Sequence, residues 1–174
     1  MKTDSKERYG TLTRFFHWSM AFLIGWQFLK FFDRLDDGEH WVGATLVPWH
    51  VSIGTLLLVL VALRLAWSLK QRHLQPEPLA PSTAFLVKAG HRLLYVGMVL
   101  MPITGILYIL GNGYPLTAFG VELVAGGDEV AWMISVGGLH SPIAWALMLL
   151  TAGHILMALF HRFAKDDGIM QRML

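Results

Sequence analysis

The sequence predicts an all-α integral membrane protein, an up-down-up-down bundle of four helices forming one domain. Three observations carry that reading. The 174 residues are 55% hydrophobic and 15% charged with a mean hydropathy of +0.50, more apolar and less charged than soluble domains. Four runs with little or no charge, each long enough for a span of about 20 residues, use nearly the whole chain and leave no room for a separate soluble catalytic domain. Lysine and arginine fall overwhelmingly on one side of the topology that those runs define.

The first span is placed at 14–32. Residues 15–29 carry no formal charge, and extension to Phe32 leaves Lys30 to snorkel at the end. His17 and Gln27 inside the run, its charged ending and the lack of a small-x-small site make it a retained span rather than a cleaved leader. The second span, 47–69, has Pro48 in its first turn and Arg64 as its only charge. The third, 85–110, is entered through Lys88, His91 and Arg92 and stopped by the turn-rich GNGYP at 111–115. Pro102 lies inside it and predicts a kink. Residues 130–161 are uncharged over a length too great for one upright span, and the Gly137-Gly138 pair starts the fourth helix near Leu139, giving 139–163.

Twelve basic residues precede span one, surround the second connection or follow span four, against Lys30 and Arg34 at the edge of the first connection. Both termini are therefore expected in the cytoplasm, with the linker at 75–82 on the same side. The first and third connections hold Asp33, Asp36, Asp37, Glu39, Glu122, Asp128 and Glu129 and face the other side.

The chain contains no cysteine, which excludes disulfides, thiolate zinc sites, iron–sulfur clusters and covalent C-x-x-C-H haem attachment. It contains eight histidines. An ionisable residue inside a span is costly and marks a functional hypothesis by default. Five histidines qualify: His17 one turn into span one, His50 opening span two, His91 beginning span three, and His140 and His154 in span four. The last two are 14 residues apart, about 21 Å along the helix axis, and two heptads return them to one inward face of a left-handed bundle. Each depth then offers imidazoles from facing helices: His50 with His140 toward the periplasm, and His17 with either His154 or His91 toward the cytoplasm.

Two stacked bis-histidine sites suit haem iron, which takes two axial nitrogens from opposite sides of a flat ring. Zinc needs three or four converging ligands, and no carboxylate lies near these histidines within the spans. Gly25, Gly54, Gly97, Gly105 and Gly153 give a porphyrin room to approach a backbone, and Arg14, Arg64, Arg92 and Arg162 sit where propionates would emerge. Plainer readings exist for each feature. A lone intramembrane histidine often bonds a neighbouring helix, glycines pack helices, arginines set topology against lipid phosphates, and the tryptophans mark interfaces. The recurrence of histidine at matched depths favours metal ligation by His17, His50, His140 and His154. His91 is expected to contact a propionate or quinone, and Arg14 and Arg92 to bind the cofactor. His40, His73 and His161 are expected to be solvated or interfacial.

The pieces RYGTLTRFFHW, VPWHVSIG, KAGHRLLYVGMVLMPITG and GLHSPIAWALMLLTAGH, spread over essentially the whole chain, resemble the bacterial cytochrome b561 family, which includes superoxide oxidase. The resemblance implies a bacterial inner-membrane protein with two non-covalent haem b groups linked to the quinone pool, with ubiquinone as substrate. More distantly, the chain is similar to the haem-bearing membrane subunits of formate dehydrogenases and nickel-iron hydrogenases. Those place the ligands on spans one, two and twice on four, which carries over as His17 with His154 and His50 with His140. The family's third-span histidine is present as His91.

The expected function is electron transfer between the quinone pool and a periplasmic donor or acceptor, with membrane lipid around the protein and no nucleic acid as partner. Superoxide is one candidate donor. Both predicted periplasmic connections are acidic, which suits a basic soluble protein or a docked subunit better than an anion. The rival readings are a haem-bearing anchor subunit of a larger oxidoreductase and a haem-free transporter whose histidines line an ion path.

Overall fold

The computed structural model describes residues 2–34, 40–77 and 84–174. Four long helices dominate: α1 (Thr11–Phe28), α3 (His50–Gln71), α4 (Ala84–Gly111) and α6 (His140–Phe160). Two short helices, α2 (Trp41–Thr45) and α5 (Ala131–Gly137), precede α3 and α6. The segments Trp41–Gln71, Ala84–Gly111 and Ala131–Lys165 are each long and apolar enough to cross a membrane.

The helices start and stop for identifiable reasons. Gly10 precedes α1, where a side-chain carbon would lie 2.4 Å from the Lys2 carbonyl, so the N-terminal strap can press against the helix start only there. Pro48 sits in the 3-10 turn Val47–Trp49 that leads into α3, where its missing N–H costs nothing. Helix α4 runs through Pro102 without interruption. Gly138 and Leu139 separate α5 from α6.

One departure from the all-α expectation follows Gly111. Residues β1 (Leu116–Ala118) and β2 (Val121–Val124) pair antiparallel around Phe119-Gly120, both at positive φ (51° and 79°) as a type I′ turn requires. Thr117, Val121 and Val124 supply the β-branched side chains that favour this geometry beyond Gly113, whose φ of 78° takes the chain out of the helical register. The Phe119 amide donates to Ser52 Oγ at 2.9 Å, tying the hairpin to the start of α3.

Alternate helices run in opposite directions. Trp67 near the end of α3 donates to Thr13 at the start of α1 (3.0 Å), while Gln27 at the end of α1 donates to the His50 carbonyl at the start of α3 (2.9 Å). Arg64, late in α3, reaches Tyr95, early in α4, and His140 at the start of α6 reaches the Met101 carbonyl of α4. The bundle thus has a lower end, with the starts of α1 and α4, and an upper end, with the starts of α3 and α6. Helix α1 packs on α3, α3 on α4 and α4 on both α5 and α6; among the described residues α1 and α6 share no extensive backbone contact. Met20, Ile53, Leu57 and Val61 form the buried core between α1, α3 and α4. Gly97 allows α4 to close on α6, since a side-chain carbon there would lie 2.9 Å from Leu147 Cδ1. Outward, Phe22, Leu63, Val96, Leu149, Leu156 and Phe163 are exposed, the pattern of helices whose solvent is lipid.

At the lower end the N-terminal strap meets the last residues. The Tyr9 amide donates to the Arg172 carbonyl (3.1 Å), Trp18 Nε1 to the Met173 carbonyl (3.0 Å), and Arg14 Nη1 to the Leu174 carbonyl. Buried Asp4 accepts from the Gly10 amide and from Thr13 Oγ1, each at 2.7 Å. Lys6 pairs with Glu77 at 3.1 Å across to the segment after α3. The rest of the expected 75–82 linker, like Asp36, Asp37 and Glu39, lies outside the described residues.

Candidate cofactor-binding site

Five histidines gather at two depths. At the upper level His50 and His140 face each other with ring centroids 5.9 Å apart and planes at 86°. At the lower level His17 and His154 stand 6.3 Å apart at 55°, and His91 lies 5.4 Å from His154 at 84°. His154 therefore has two imidazole neighbours, and proximity alone ranks His91 ahead of His17. Burial separates them: His17, His50, His140 and His154 are half-buried, whereas His91 is exposed.

Backbone carbonyls fix two of these rings. His140 Nδ1 donates to the Met101 carbonyl at 2.9 Å, with Thr104 Oγ1 3.3 Å from the same nitrogen, which directs Nε2 toward a ligand. His91 Nδ1 donates to the Val87 carbonyl at 2.7 Å. His17 Nδ1 is buried and, among the described residues, has no hydrogen-bond partner.

A cavity of about 290 Å³ opens beside the upper pair, lined by His50, His140, Gly54, Gln27, Pro102 and Ala144 among others, close to the lower bound of about 300 Å³ for cofactor pockets. Phe31, which lines it, packs on Trp145 with ring centroids 4.5 Å apart. The glycines divide by role. Gly54 borders the cavity, Gly105 makes room for the His140 ring, Gly97 serves helix packing, and Gly25 and Gly153 have open space where a side chain would lie.

Arg14 bonds the Leu174 carbonyl, and Arg92 is exposed at the lower end. His161 pairs with Asp167 at 2.6 Å, His40 caps α2 by accepting from the Gly43 amide at 3.1 Å, and His73 accepts from Arg72 Nε at 3.0 Å. Three contributors escaped the sequence reading: Gln27, which braces the start of α3; the Met101 carbonyl, which orients His140; and Tyr95, which holds Arg64. Gln27 was visible as a polar residue inside an apolar run. A backbone carbonyl leaves no signal in composition.

Among the described residues no three histidine, aspartate or glutamate side chains converge on one point, so the arrangement offers nitrogens in pairs. Two imidazoles bound to one metal from opposite sides, at about 2.0–2.1 Å each, put their ring centroids about 6 Å apart. The observed 5.9 Å and 6.3 Å match that span, and the residues fit haem b.

Membrane-length helices that bring imidazoles together between them, with no thiolate in the chain, define the class of helical membrane cytochromes. Residues 8–174 match the family described as prokaryotic cytochrome b561, and the chain belongs to it. Membership implies haem b binding and membrane electron transfer. The chain is 31% identical over 177 residues to cytochrome b561 homolog 2 of Escherichia coli (strain K12), covering 99% of this chain and 94% of that protein. It is 28% identical over 131 residues to cytochrome b561 homolog 1 of the same organism, covering 72% of each. It is 25% identical over 171 residues to the probable superoxide oxidase CybB of Yersinia pestis, covering 83% of this chain and 96% of that protein.

Proposed function

We propose that this chain is a dihaem b electron-transfer protein of the bacterial inner membrane, exchanging electrons between the quinone pool and a periplasmic donor or acceptor. The observation that carries this reading is the pair of facing imidazoles at each of two depths, at separations of 5.9 Å and 6.3 Å. In it α1 is the fourth span, His50 and His140 ligate the upper group, and His17 and His154 the lower one. The single domain has spans at 14–32, 47–69, 85–110 and 139–163. The meeting of the N-terminal strap with residues 172–174 supports an even number of spans with both ends on one side, and the excess of lysine and arginine there supports the cytoplasmic side.

Haem b, when bound, supplies a reversible one-electron couple at each depth. The protein's own residues do the rest. His50 with His140, and His17 with His154, would each hold one haem, which would then supply electron transfer in place of oxygen chemistry. The Met101 carbonyl keeps the His140 ring oriented and makes it a better donor. Met20, Ile53, Leu57 and Val61 keep water from the interior between the levels. Ubiquinone reaches the protein through the bilayer. Superoxide is one periplasmic donor, supported by the 25% identity to the Yersinia pestis protein and opposed by acidic Glu122, Asp128 and Glu129 at the upper end.

A docked periplasmic subunit is the second reading. The outer strand β2 is exposed along its whole length, with Val121 and Leu123 more than half exposed, which suits a protein partner.

The test is a pyridine-haemochrome assay and a reduced-minus-oxidised spectrum of purified protein, with haem counted per chain. Two b-type haems are the expected result, followed by oxidation of superoxide with ubiquinone as acceptor. No haem in protein from haem-replete cells would overturn the reading. Full haem without turnover, together with a co-purifying partner, would select the subunit reading.

A further inference from the structure

Arg64 is an arginine inside an apolar helix, about 10 Å short of the lower end of α3 by its seven-residue distance from Gln71. It lies 14 residues after His50, the same interval that separates His140 from His154 in α6. Both helices therefore place a functional side chain at the upper level and return to the same face two heptads later. Helix α6 brings a second histidine there. Helix α3 brings a guanidinium.

An arginine near a helix end ordinarily snorkels toward water. Arg64 turns inward instead. Its Nε donates to Tyr95 Oη at 3.1 Å, its Cζ lies 5.3 Å from the centre of the Tyr95 ring, and its Nη1 is 4.0 Å from Sδ of Met20, a core residue with 1% exposure. Met20 is one turn beyond His17 on α1, and Tyr95 is one turn beyond His91 on α4. Among the described residues no carboxylate pairs with Arg64. A guanidinium carries five N–H donors and stays charged, so this one is held in place with donors to spare and no anion. A half-buried cation of that kind is costly unless something negative arrives with the ligand.

We infer that Arg64, held by Tyr95, is the fixed cation and anion partner of the group bound at the His17–His154 level, and raises the reduction potential of that group relative to an uncharged residue. The inference rests on the dihaem reading. The anion it meets is a carboxylate of the bound porphyrin. Arg64 acts as a positioning residue, since it ligates no metal. The same cation explains why Tyr95 and Met20 are where they are: each occupies a face of a side chain that would otherwise leave the interior.

The test is a potentiometric titration of the purified haem-loaded protein, followed optically, for the wild type and for Arg64→Met, Arg64→Lys and Tyr95→Phe, with haem counted per chain in each. Arg64→Met is expected to make one of two haems at least tenfold harder to reduce, a downward shift of 59 mV per tenfold for a one-electron couple, and to leave the other unchanged. Arg64→Lys keeps the charge and restores most of the potential, and Tyr95→Phe shifts the same haem by less. Loss of one haem in Arg64→Met, with recovery in Arg64→Lys, equally supports an anion-holding cation. Two haems with unaltered potentials in both Arg64→Met and Tyr95→Phe would overturn the inference; if Arg64→Met does not fold, Tyr95→Phe decides alone. Wild-type protein without haem would instead overturn the dihaem reading itself.

Discussion

Replacing Gly105 by alanine adds a single methyl group beside His140 without replacing any of the proposed haem ligands. The new carbon would sit 3.0 Å from His140 Cε1 and 3.1 Å from Nδ1, where ordinary contact begins at 3.4 Å. The ring must therefore retreat by about 0.4 Å, twice the roughly 0.2 Å within which metal–ligand distances are held. The retreat also strains the 2.9 Å bond from Nδ1 to the Met101 carbonyl. Overpacking of this kind costs about 1–3 kcal/mol, and alanine returns about 0.5–1 kcal/mol of helix propensity. A net loss of up to about 2 kcal/mol corresponds to as much as roughly 30-fold weaker retention of the upper haem. The lower level, about 21 Å away along α6, should be unaffected. The assay is haem retained per chain through prolonged detergent exchange, with difference spectra resolving the two centres. Equal loss from both levels would refute the reasoning, as would full retention in both Gly105→Ala and the bulkier Gly105→Val.

Three further outcomes are expected. His140→Ala and His154→Ala should each remove one haem and spare the other, and His91→Ala should retain both; haem stoichiometry of the three variants checks this and shows which neighbour of His154 is a ligand. Val61→Ala, at a position with 1% exposure between α1, α3 and α4, should cost about 1–3 kcal/mol, measured as a lower midpoint of thermal unfolding in detergent. Slight desolvation pushes the Asp167 carboxyl up, but the hydrogen bonds from His161 and the Ile169 amide outweigh it and hold the group below the ordinary carboxylate range. A depressed value adds stability that is present above the ordinary carboxylate pKa of about 4 and lost as the pH falls through the lower folded value, so the protection of the Ile169 amide, its exchange rate relative to the intrinsic rate at the same pH, should fall on acidification in the wild type and be low throughout in Asp167→Asn.

The long helices were legible because periodicity hardly matters when lipid is the solvent: length, charge gaps and turn signals at 111–115 and 137–138 mark the ends. The hairpin at 116–124 was hidden for the same reason, since LTAFGVELV carries no charge until Glu122 and blends with the apolar run before it. Its strands exist because Phe119 adopts a positive φ, a conformation its residue type disfavours and sequence therefore does not announce. The histidine depths could be read from spacing, because one helix carries two of them 14 residues apart and fixes the scale. Which ring faces His154 could not, because His17 and His91 enter the same level from different helices, and only packing sets their distances. Arg14 shows the complementary limit: depth placed it near a cofactor edge, while the Leu174 carbonyl, 160 positions away in sequence, has taken its Nη1.

The clasp between the strap before α1 and residues 172–174 has a consequence for biogenesis. Tyr9 and Trp18 are made well before the carbonyls that receive them, which belong to Arg172 and Met173. Helix α1 packs on α3, but its lower end has no such latch until residues 172–174 have been made. The clasp between the lower end of α1 and the segment after α6, helices that share little backbone contact of their own among the described residues, therefore cannot close before α6 has been made. Until the clasp forms, the hydrogen bonds that tie the lower end of the helix carrying His17 to the segment after the helix carrying His154 are not yet made.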